Sequence, residues 1–323
     1  MMMQRAFKSA LMRPASSLSR GFSKSSSEYV GLVGVGQMGG RMGNNLITKG
    51  TKLVVCDVDP ANVKDLADKG AIVAKSLREV AEKCDRVITM LPNTAIVEDA
   101  FFGANGFESV VRPSHFFVDS STIDPIATKK ISERVHAMNA TFVDAPVSGG
   151  VVGAQNGTLT FMVGGTNDEF NTVKPLLELM GKNIVHCGSS SMGQVAKICN
   201  NLALAIQMTS VAEAMNLGVK LGMDPKVLAG IMNTSTSQCW STTVYHPYPG
   251  VMEGVPSSND YKGGFSSKLV KKDLGLGVDV AKQAEVTLPL TYQVHQLFSM
   301  MVNDGYGDKD FAYVLQFLKG KKA

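Results

Sequence analysis

The sequence predicts a doubly wound α/β sheet over residues 28–190, followed by an all-helical domain over residues 191–323. Seven short runs rich in β-branched and aromatic residues alternate with helix-length stretches, and no strand-like run follows Cys187. Because 44% of the residues are hydrophobic and only 19% are charged, the chain can fill more than one core. Strands separated by helices need crossover connections, which favours parallel pairing.

The elements follow in a regular order along the chain. The predicted strands lie at 29–35, 52–57, 86–91, 115–119, 140–145, 158–164 and 183–187, with helices such as 38–49, 61–69 and 125–138 between them. Helical periods then predict five further helices at 192–221, 225–233, 266–284, 288–303 and 308–319. Residues 245–264, rich in proline and glycine, predict a long ordered loop, and loops of this length are often functional.

The first 27 residues form a separate segment that contains five basic residues and no acidic one. Met3, Phe7 and Leu11 are spaced four apart and would share one face of a helix. Acid depletion combined with this spacing is typical of a mitochondrial transit peptide, so we expect the protein in the mitochondrial matrix. The simpler alternative is a disordered basic tail.

Charge and cysteine content argue against several classes of partner. The net charge is +4 and the leader holds five cations, so the remainder carries 4 − 5 = −1, and we expect no nucleic-acid partner. The uncharged stretch 198–212 is shorter than the ~20 apolar residues of a bilayer crossing, so we expect no membrane span. Five cysteines without a CxxC pair, and histidines without ligand spacing, predict neither a disulfide framework nor a metal site.

A glycine-rich motif directly follows the first predicted strand. It matches G-x-G-x-x-G and consists of Gly34, Val35, Gly36, Gln37, Met38 and Gly39. The motif lies between a strand and a helix, and an acidic residue, Asp57, closes the next strand 18 residues later. This context is typical of a Rossmann-type dinucleotide site, where the pyrophosphate lies at the helix N-terminus. The alternative is an ordinary glycine turn.

Asp57 bears on the choice of cofactor. Its carboxylate would accept hydrogen bonds from the adenosine ribose and repel a 2′-phosphate, so we expect NAD rather than NADP. Asp57 could instead cap the next helix, but Asp59, directly before Pro60, is the better cap.

Two further segments are candidates for chemistry. Lys197 and Asn201 are four residues apart on an apolar helix and so share one face. Loss of solvation would lower the pKa of Lys197 toward a range in which the amine can exchange a proton. A surface lysine is the alternative, since lysines are rarely buried. The small residues in 144–150 would let a ligand carboxylate approach the backbone, although a flexible turn has the same composition.

Together these motifs resemble the β-hydroxyacid dehydrogenases. The resemblance covers about residues 29–319 and includes the glycine motif, Asp144–Gly150 continuing to Gly157–Thr160, Gly193–Asn201, and Lys272-Asp273-Leu274. It implies NAD-dependent oxidation of a small hydroxy acid, in first place 3-hydroxyisobutyrate of valine breakdown, without a metal. It also implies a homodimer or larger homo-oligomer. Two alternatives are a reductase of another small semialdehyde acid, such as tartronate or succinic semialdehyde, and a non-catalytic dinucleotide-binding scaffold.

The resemblance also implies roles for individual residues. Lys197 would be the catalytic acid/base. Asn201 would hold the substrate, whose carboxylate would bind Ser148, Gly149 and Gly150. The nicotinamide side would be lined by Leu91, Pro92 and Thr122, with Lys272 reaching the cofactor from the helical domain. Ile96 stands where the resemblance implies a polar cofactor contact.

Overall fold

The computed structural model describes residues 27–320. The predicted transit peptide lies outside this range, apart from its last residue. Nine strands form one sheet: β1 Tyr29–Val33, β2 Lys52–Cys56, β3 Ile72–Val73, β4 Arg86–Thr89, β5 Phe116–Asp119, β6 Thr141–Asp144, β7 Val147–Ser148, β8 Leu159–Gly164 and β9 Gly181–Gly188. All seven predicted strands are present. The two-residue strands β3 and β7 are too short to show a period in the sequence.

Seven helices accompany the sheet: α1 Gln37–Thr48, α2 Pro60–Asp68, α3 Leu77–Lys83, α4 Thr94–Phe102, α5 Pro125–Ala137, α6 Gly150–Asn156 and α7 Asn167–Leu177. The later helices are α8 Met192–Lys220, α9 Pro225–Thr234, α10 Trp240–Thr243, α11 Ser267–Gln283, α12 Pro289–Met301 and α13 Val314–Lys319. The predicted helix 308–319 is shorter than expected, because Phe311–Tyr313 forms a 3-10 turn before α13. Within the predicted loop 245–264, the only helical turn is the 3-10 segment Pro256–Ser258.

The strand order is β3-β2-β1-β4-β5-β6, and every neighbouring pair in this part of the sheet is parallel. This is the doubly wound order of dinucleotide-binding folds, so the predicted fold class is confirmed. The carboxyl ends of β1 and β4 are adjacent at the point where the order reverses. Ligands of such sheets bind in the crevice at this switch point.

The prediction of parallel pairing is wrong for the pairing of β8 with β6. Strand β8 runs antiparallel to β6 and to β7, and β9 then pairs parallel to β8. The chain reverses at Gly149 and Gly150, whose φ angles are 129° and 61°. This sharp turn leads into the seven-residue helix α6, which returns the chain to the sheet in the opposite direction.

Apolar side chains form three cores. Leu32 and Val55 face one side of the sheet with Leu46 of α1, while Val54 and Val87 face the other side. A third core lies among the later helices and includes Met208, Leu274, Phe298 and Phe311, among others. Successive side chains along each strand point to opposite faces, so both faces of the sheet are covered by apolar packing, as expected for strands flanked by helices.

Helix α8 is the axis of the helical region, and it packs against β8, α11 and α13. It is long and apolar enough, by length and composition alone, to cross a membrane. The central helix of a folded domain has the same properties, and α8 carries the buried polar residues Gln194, Lys197 and Asn201.

Candidate active site

The glycine loop joins β1 to α1. Gly34 has a φ of 86°, and a Cβ atom at Gly39 would overlap the carbonyl oxygen of Gly34, so the helix approaches the strand closely. A Cβ atom at Gly36 would meet nothing within 4 Å. No side chain caps the N-terminus of α1, which begins at Gln37. Open space beside uncapped helical amides suits a pyrophosphate, so these residues fit a dinucleotide cofactor.

Asp57 follows β2 and orders this loop. Its Oδ2 accepts a hydrogen bond from Val35 N at 2.6 Å, and its Oδ1 accepts from Asp59 N at 2.9 Å and from Asn62 Nδ2 at 3.1 Å. Asp59 is the N-cap of α2, as predicted. A carboxylate has about four acceptor sites, so Asp57 retains capacity for a hydroxyl donor.

Lys197 lies in the second turn of α8 and is only 8% exposed. Burial lowers its pKa from 10.5 to about 8, while the carboxylate of Asp273 raises it and the ammonium of Lys272 lowers it further. Within residues 27–320, no hydrogen bond or ion pair engages the Lys197 ammonium. The structure therefore excludes the surface-lysine alternative, and the amine is free to exchange a proton.

Asn201 shares the face of Lys197 and is engaged by two neighbours. Its Nδ2 donates to Asp273 Oδ2 at 2.6 Å, and its Oδ1 accepts from Asn200 Nδ2 at 3.1 Å. Asp273 also lies 3.1 Å from Lys272 Nζ through Oδ1. Sequence reasoning assigned no role to Asp273, although its place directly after Lys272 in a recognised motif was a usable signal.

Lys272 connects the helical region to the edge of the sheet. Its Nζ donates to the carbonyl oxygen of Thr122 at 2.7 Å and to that of Pro92 at 3.3 Å. Leu91 N donates to Ser121 Oγ at 2.8 Å. The structure thus brings together the four residues expected on the nicotinamide side, at the ends of β4 and β5.

The small-residue segment begins at the end of β6. Asp144 accepts from Ser191 N at 2.7 Å and from Gln194 N at 3.0 Å, and burial raises the pKa of Asp144 to about 6. Asp144 therefore anchors the start of α8 to the segment that contains Gly149 and Gly150. Its role was missed because nothing local in the sequence links residues 47 positions apart.

Ser148 and Ile96 are the two remaining residues that the sequence singled out. Ser148 lies in β7, opposite Thr160 of β8, next to the positive-φ glycines. Ile96 is 43% exposed in the first turn of α4, and its amide donates to Asn93 Oδ1 at 3.0 Å. Among the residues that the structure describes, no group of three or more His, Cys, Asp or Glu is arranged to hold a metal ion.

The uncapped glycine loop at the switch point, Asp57 and the buried Lys197 are together the features of a dinucleotide-dependent dehydrogenase with a Rossmann-type sheet and a mostly helical C-terminal part. Residues 29–188 match the model for the NAD-binding domain of 6-phosphogluconate dehydrogenase. Residues 191–318 match the model for the NAD-binding region of NADP-dependent 3-hydroxyisobutyrate dehydrogenase. The chain belongs to the 3-hydroxyisobutyrate dehydrogenase family.

Individual relatives support this membership over nearly the whole chain. The mitochondrial 3-hydroxyisobutyrate dehydrogenase of Bos taurus is 50% identical over 297 residues, 92% of this chain and 88% of that protein. The Drosophila melanogaster enzyme of the same name is 48% identical over 295 residues, 91% of this chain and 90% of its own. The solved structure of Mycobacterium tuberculosis 3-hydroxyisobutyrate dehydrogenase with L-serine has a TM-score of 0.85 and 35% identity, covering 91% of this chain and 100% of that one.

Proposed function

We propose that the protein is a mitochondrial, NAD-dependent dehydrogenase that oxidises 3-hydroxyisobutyrate to methylmalonate semialdehyde. The observation that carries the reaction type is Lys197, a buried amine with a lowered pKa and no partner among the described residues. Relatives at about 50% identity, named as mitochondrial 3-hydroxyisobutyrate dehydrogenases, support the substrate and the compartment.

The chain's own residues divide the chemistry among them. NAD, when bound, supplies the hydride acceptor. Neutral Lys197 removes the proton from the substrate hydroxyl, and in the reverse direction its ammonium returns that proton. The Asp273 carboxylate accepts from the Asn201 amide and attracts the Lys197 ammonium, so it holds the Asn201 amide and the Lys197 amine in one arrangement.

The substrate carboxylate is assigned to the segment around β7. Gly149 and Gly150 have positive φ, and a Cβ atom at Gly150 would meet nothing within 4 Å. The backbone there is open to close approach by a small anion, and Ser148 adds a hydroxyl donor. Asn201 would orient the same substrate from α8.

The cofactor residues form two groups. Gly34 to Gly39 would hold the pyrophosphate, and Asp57 would accept from the ribose hydroxyls and disfavour a 2′-phosphate. On the nicotinamide side, Leu91, Pro92 and Thr122 would line the ring, while Lys272 holds the two carbonyls to which it donates.

Initial rates test this function directly. The purified chain is supplied with 3-hydroxyisobutyrate, L-serine, 3-hydroxypropionate and tartronate, each with NAD and with NADP, and NADH or NADPH formation is followed by absorbance. We expect the highest kcat/KM for 3-hydroxyisobutyrate with NAD. A preference for another acid would refute the substrate assignment, and NADH binding without turnover of any acid would support the scaffold alternative.

Self-association is a second part of the proposal. Leu217 on α8 is 63% exposed and Leu221, the residue that follows this helix, is 77% exposed. Val227 and Ile231 on the adjacent α9 are 57% and 49% exposed. A cluster of this kind is typical of an interface, and a second copy of the chain is the expected partner. Light scattering should show an oligomer that Leu221→Lys weakens, whereas Val185→Lys on β9 should not.

A further inference from the structure

Gln194 connects the start of α8 to two strands of the sheet. It is fully buried and lies three residues before Lys197. Its backbone amide donates to Asp144 Oδ2 at 3.0 Å, and its side-chain Nε2 donates to the carbonyl oxygen of Ser121 at 2.8 Å. Its Oε1 accepts from the amide of Ile123 at 3.1 Å. One side chain therefore holds the backbone on both sides of a single residue.

That residue is Thr122, which is expected on the nicotinamide side of the site. The Thr122 carbonyl accepts from Lys272 Nζ at 2.7 Å, and the neighbouring Ser121 Oγ accepts from Leu91 N at 2.8 Å. The segment held by Gln194 is thus also in contact with two other residues expected near the cofactor. Movement at Gln194 would be transmitted to this edge of the site and to the Lys197 helix together.

We propose that Gln194 is a positioning residue, which sets the distance between the Lys197 amine and the Thr122 segment. This inference rests on the proposed function, because it assumes that Lys197 takes the substrate proton. Gln194 has no exposed surface, so it acts through its neighbours and does not touch the substrate. Its effect can be large, since a misplacement of about 1 Å costs roughly 100-fold in rate.

The chemistry of the contacts requires an amide at this position. Ser121 offers a carbonyl that needs a donor, and Ile123 offers an N–H that needs an acceptor. An amide supplies both, whereas an ionised carboxylate supplies only the acceptor and a protonated carboxyl again supplies both. The charged groups around the junction are Asp119 on β5, Asp144 on β6, Lys197 on α8, and Lys272 and Asp273 on α11.

Paired substitutions in the full chain test the proposal. Gln194→Met removes donor and acceptor, and Gln194→Glu makes the donor depend on protonation. Gln207→Met and Gln207→Glu are matched controls on the same helix, because within residues 27–320 the Gln207 side chain makes no hydrogen bond. Each variant is assayed for kcat and KM on whichever small 3-hydroxy acid the wild type oxidises fastest, and for NADH Kd by fluorescence.

We expect Gln194→Met to lower kcat by about 10- to 100-fold, with KM and NADH Kd within about twofold of the wild type. The kcat of Gln194→Glu relative to wild type should fall by about tenfold from pH 6 to pH 9, because the carboxyl loses the proton that it donates to Ser121. The Gln207 variants should match the wild type at every pH.

Two results would overturn the inference. One is a kcat within twofold of the wild type in both Gln194 variants. The other is a joint loss of kcat, substrate affinity and NADH affinity without recovery at low pH, as expected of a residue that only supports folding. If Gln194→Met does not fold, the pH series of Gln194→Glu decides. A wild type that oxidises a different hydroxy acid refutes the substrate assignment and leaves this comparison intact.

Discussion

The pH dependence of oxidation tests the role of Lys197 most directly. As a base, Lys197 must be neutral, and burial lowers its pKa from 10.5 to about 8. At pH 7 this change increases the neutral fraction by roughly 300-fold over an exposed lysine, equivalent to about 3 kcal/mol. The sign follows from the chemistry, because protons must leave the amine before it can accept one, so the rate rises with pH.

The assay measures kcat/KM for 3-hydroxyisobutyrate from pH 6 to 10 at saturating NAD. We expect a rise of about tenfold per pH unit up to roughly pH 8 and a plateau above it. Asp119 and Asp144, whose pKa values burial raises to about 6, would instead produce a limb near pH 6. The position of the limb therefore distinguishes the lysine from the buried carboxylic acids.

The variant Lys197→Arg separates the charge of this side chain from its ability to lose a proton. Lys197→Arg keeps the positive charge but cannot deprotonate at working pH, so turnover should fall by about 100- to 10,000-fold while NADH Kd is retained. Lys220→Arg, at the exposed last turn of the same helix, is the matched control and should behave as the wild type. Oxidation by Lys197→Arg with an unchanged pH profile would refute the assignment of the base.

Further predictions concern the cofactor site and the leader. Asp57→Asn should reduce the preference for NAD over NADP in kcat/KM by about tenfold, because it removes repulsion of a 2′-phosphate, while Asp59→Asn should leave the ratio unchanged. An unaltered ratio in the first variant would place the discrimination elsewhere. Gly36→Ala should weaken NADH binding by about tenfold or more with an unchanged Tm, since its Cβ enters open space that the pyrophosphate needs. Gly39→Ala should lower the stability by about 1–3 kcal/mol, because its Cβ meets backbone, and equal Tm values for the two glycine variants in a thermal melt would contradict this. Residues 1–27 fused to a fluorescent reporter should direct it to mitochondria, and a cytosolic reporter would argue against the transit peptide.

The sequence predicted the sheet and the cofactor loop well because both depend on local rules. The signals lie within about 25 residues of one another. They are strand-sized apolar runs, glycines at a tight strand-to-helix turn, and an acidic residue after the second strand. The same rules failed for β8, whose direction depends on the turn at Gly149 and Gly150. Two-residue strands such as β3 carry too few side chains to show any period.

Some features of the candidate site follow from sequence spacing, and others depend on contacts between distant parts of the chain. The sequence by itself determined that Lys197 and Asn201 share a helical face, and it predicted that Asp57 lies beside the Gly34–Gly39 loop, since spacing alone places these residues. Only the tertiary structure decided that Lys197 is buried and has no hydrogen-bond partner within residues 27–320. It alone also decided that Asp273, 72 residues from Asn201, accepts from the Asn201 amide. It also decided that Lys272 reaches Thr122 across 150 residues. Desolvation and charge pairing depend on which elements pack against a side chain, and that packing is set by contacts distant in sequence.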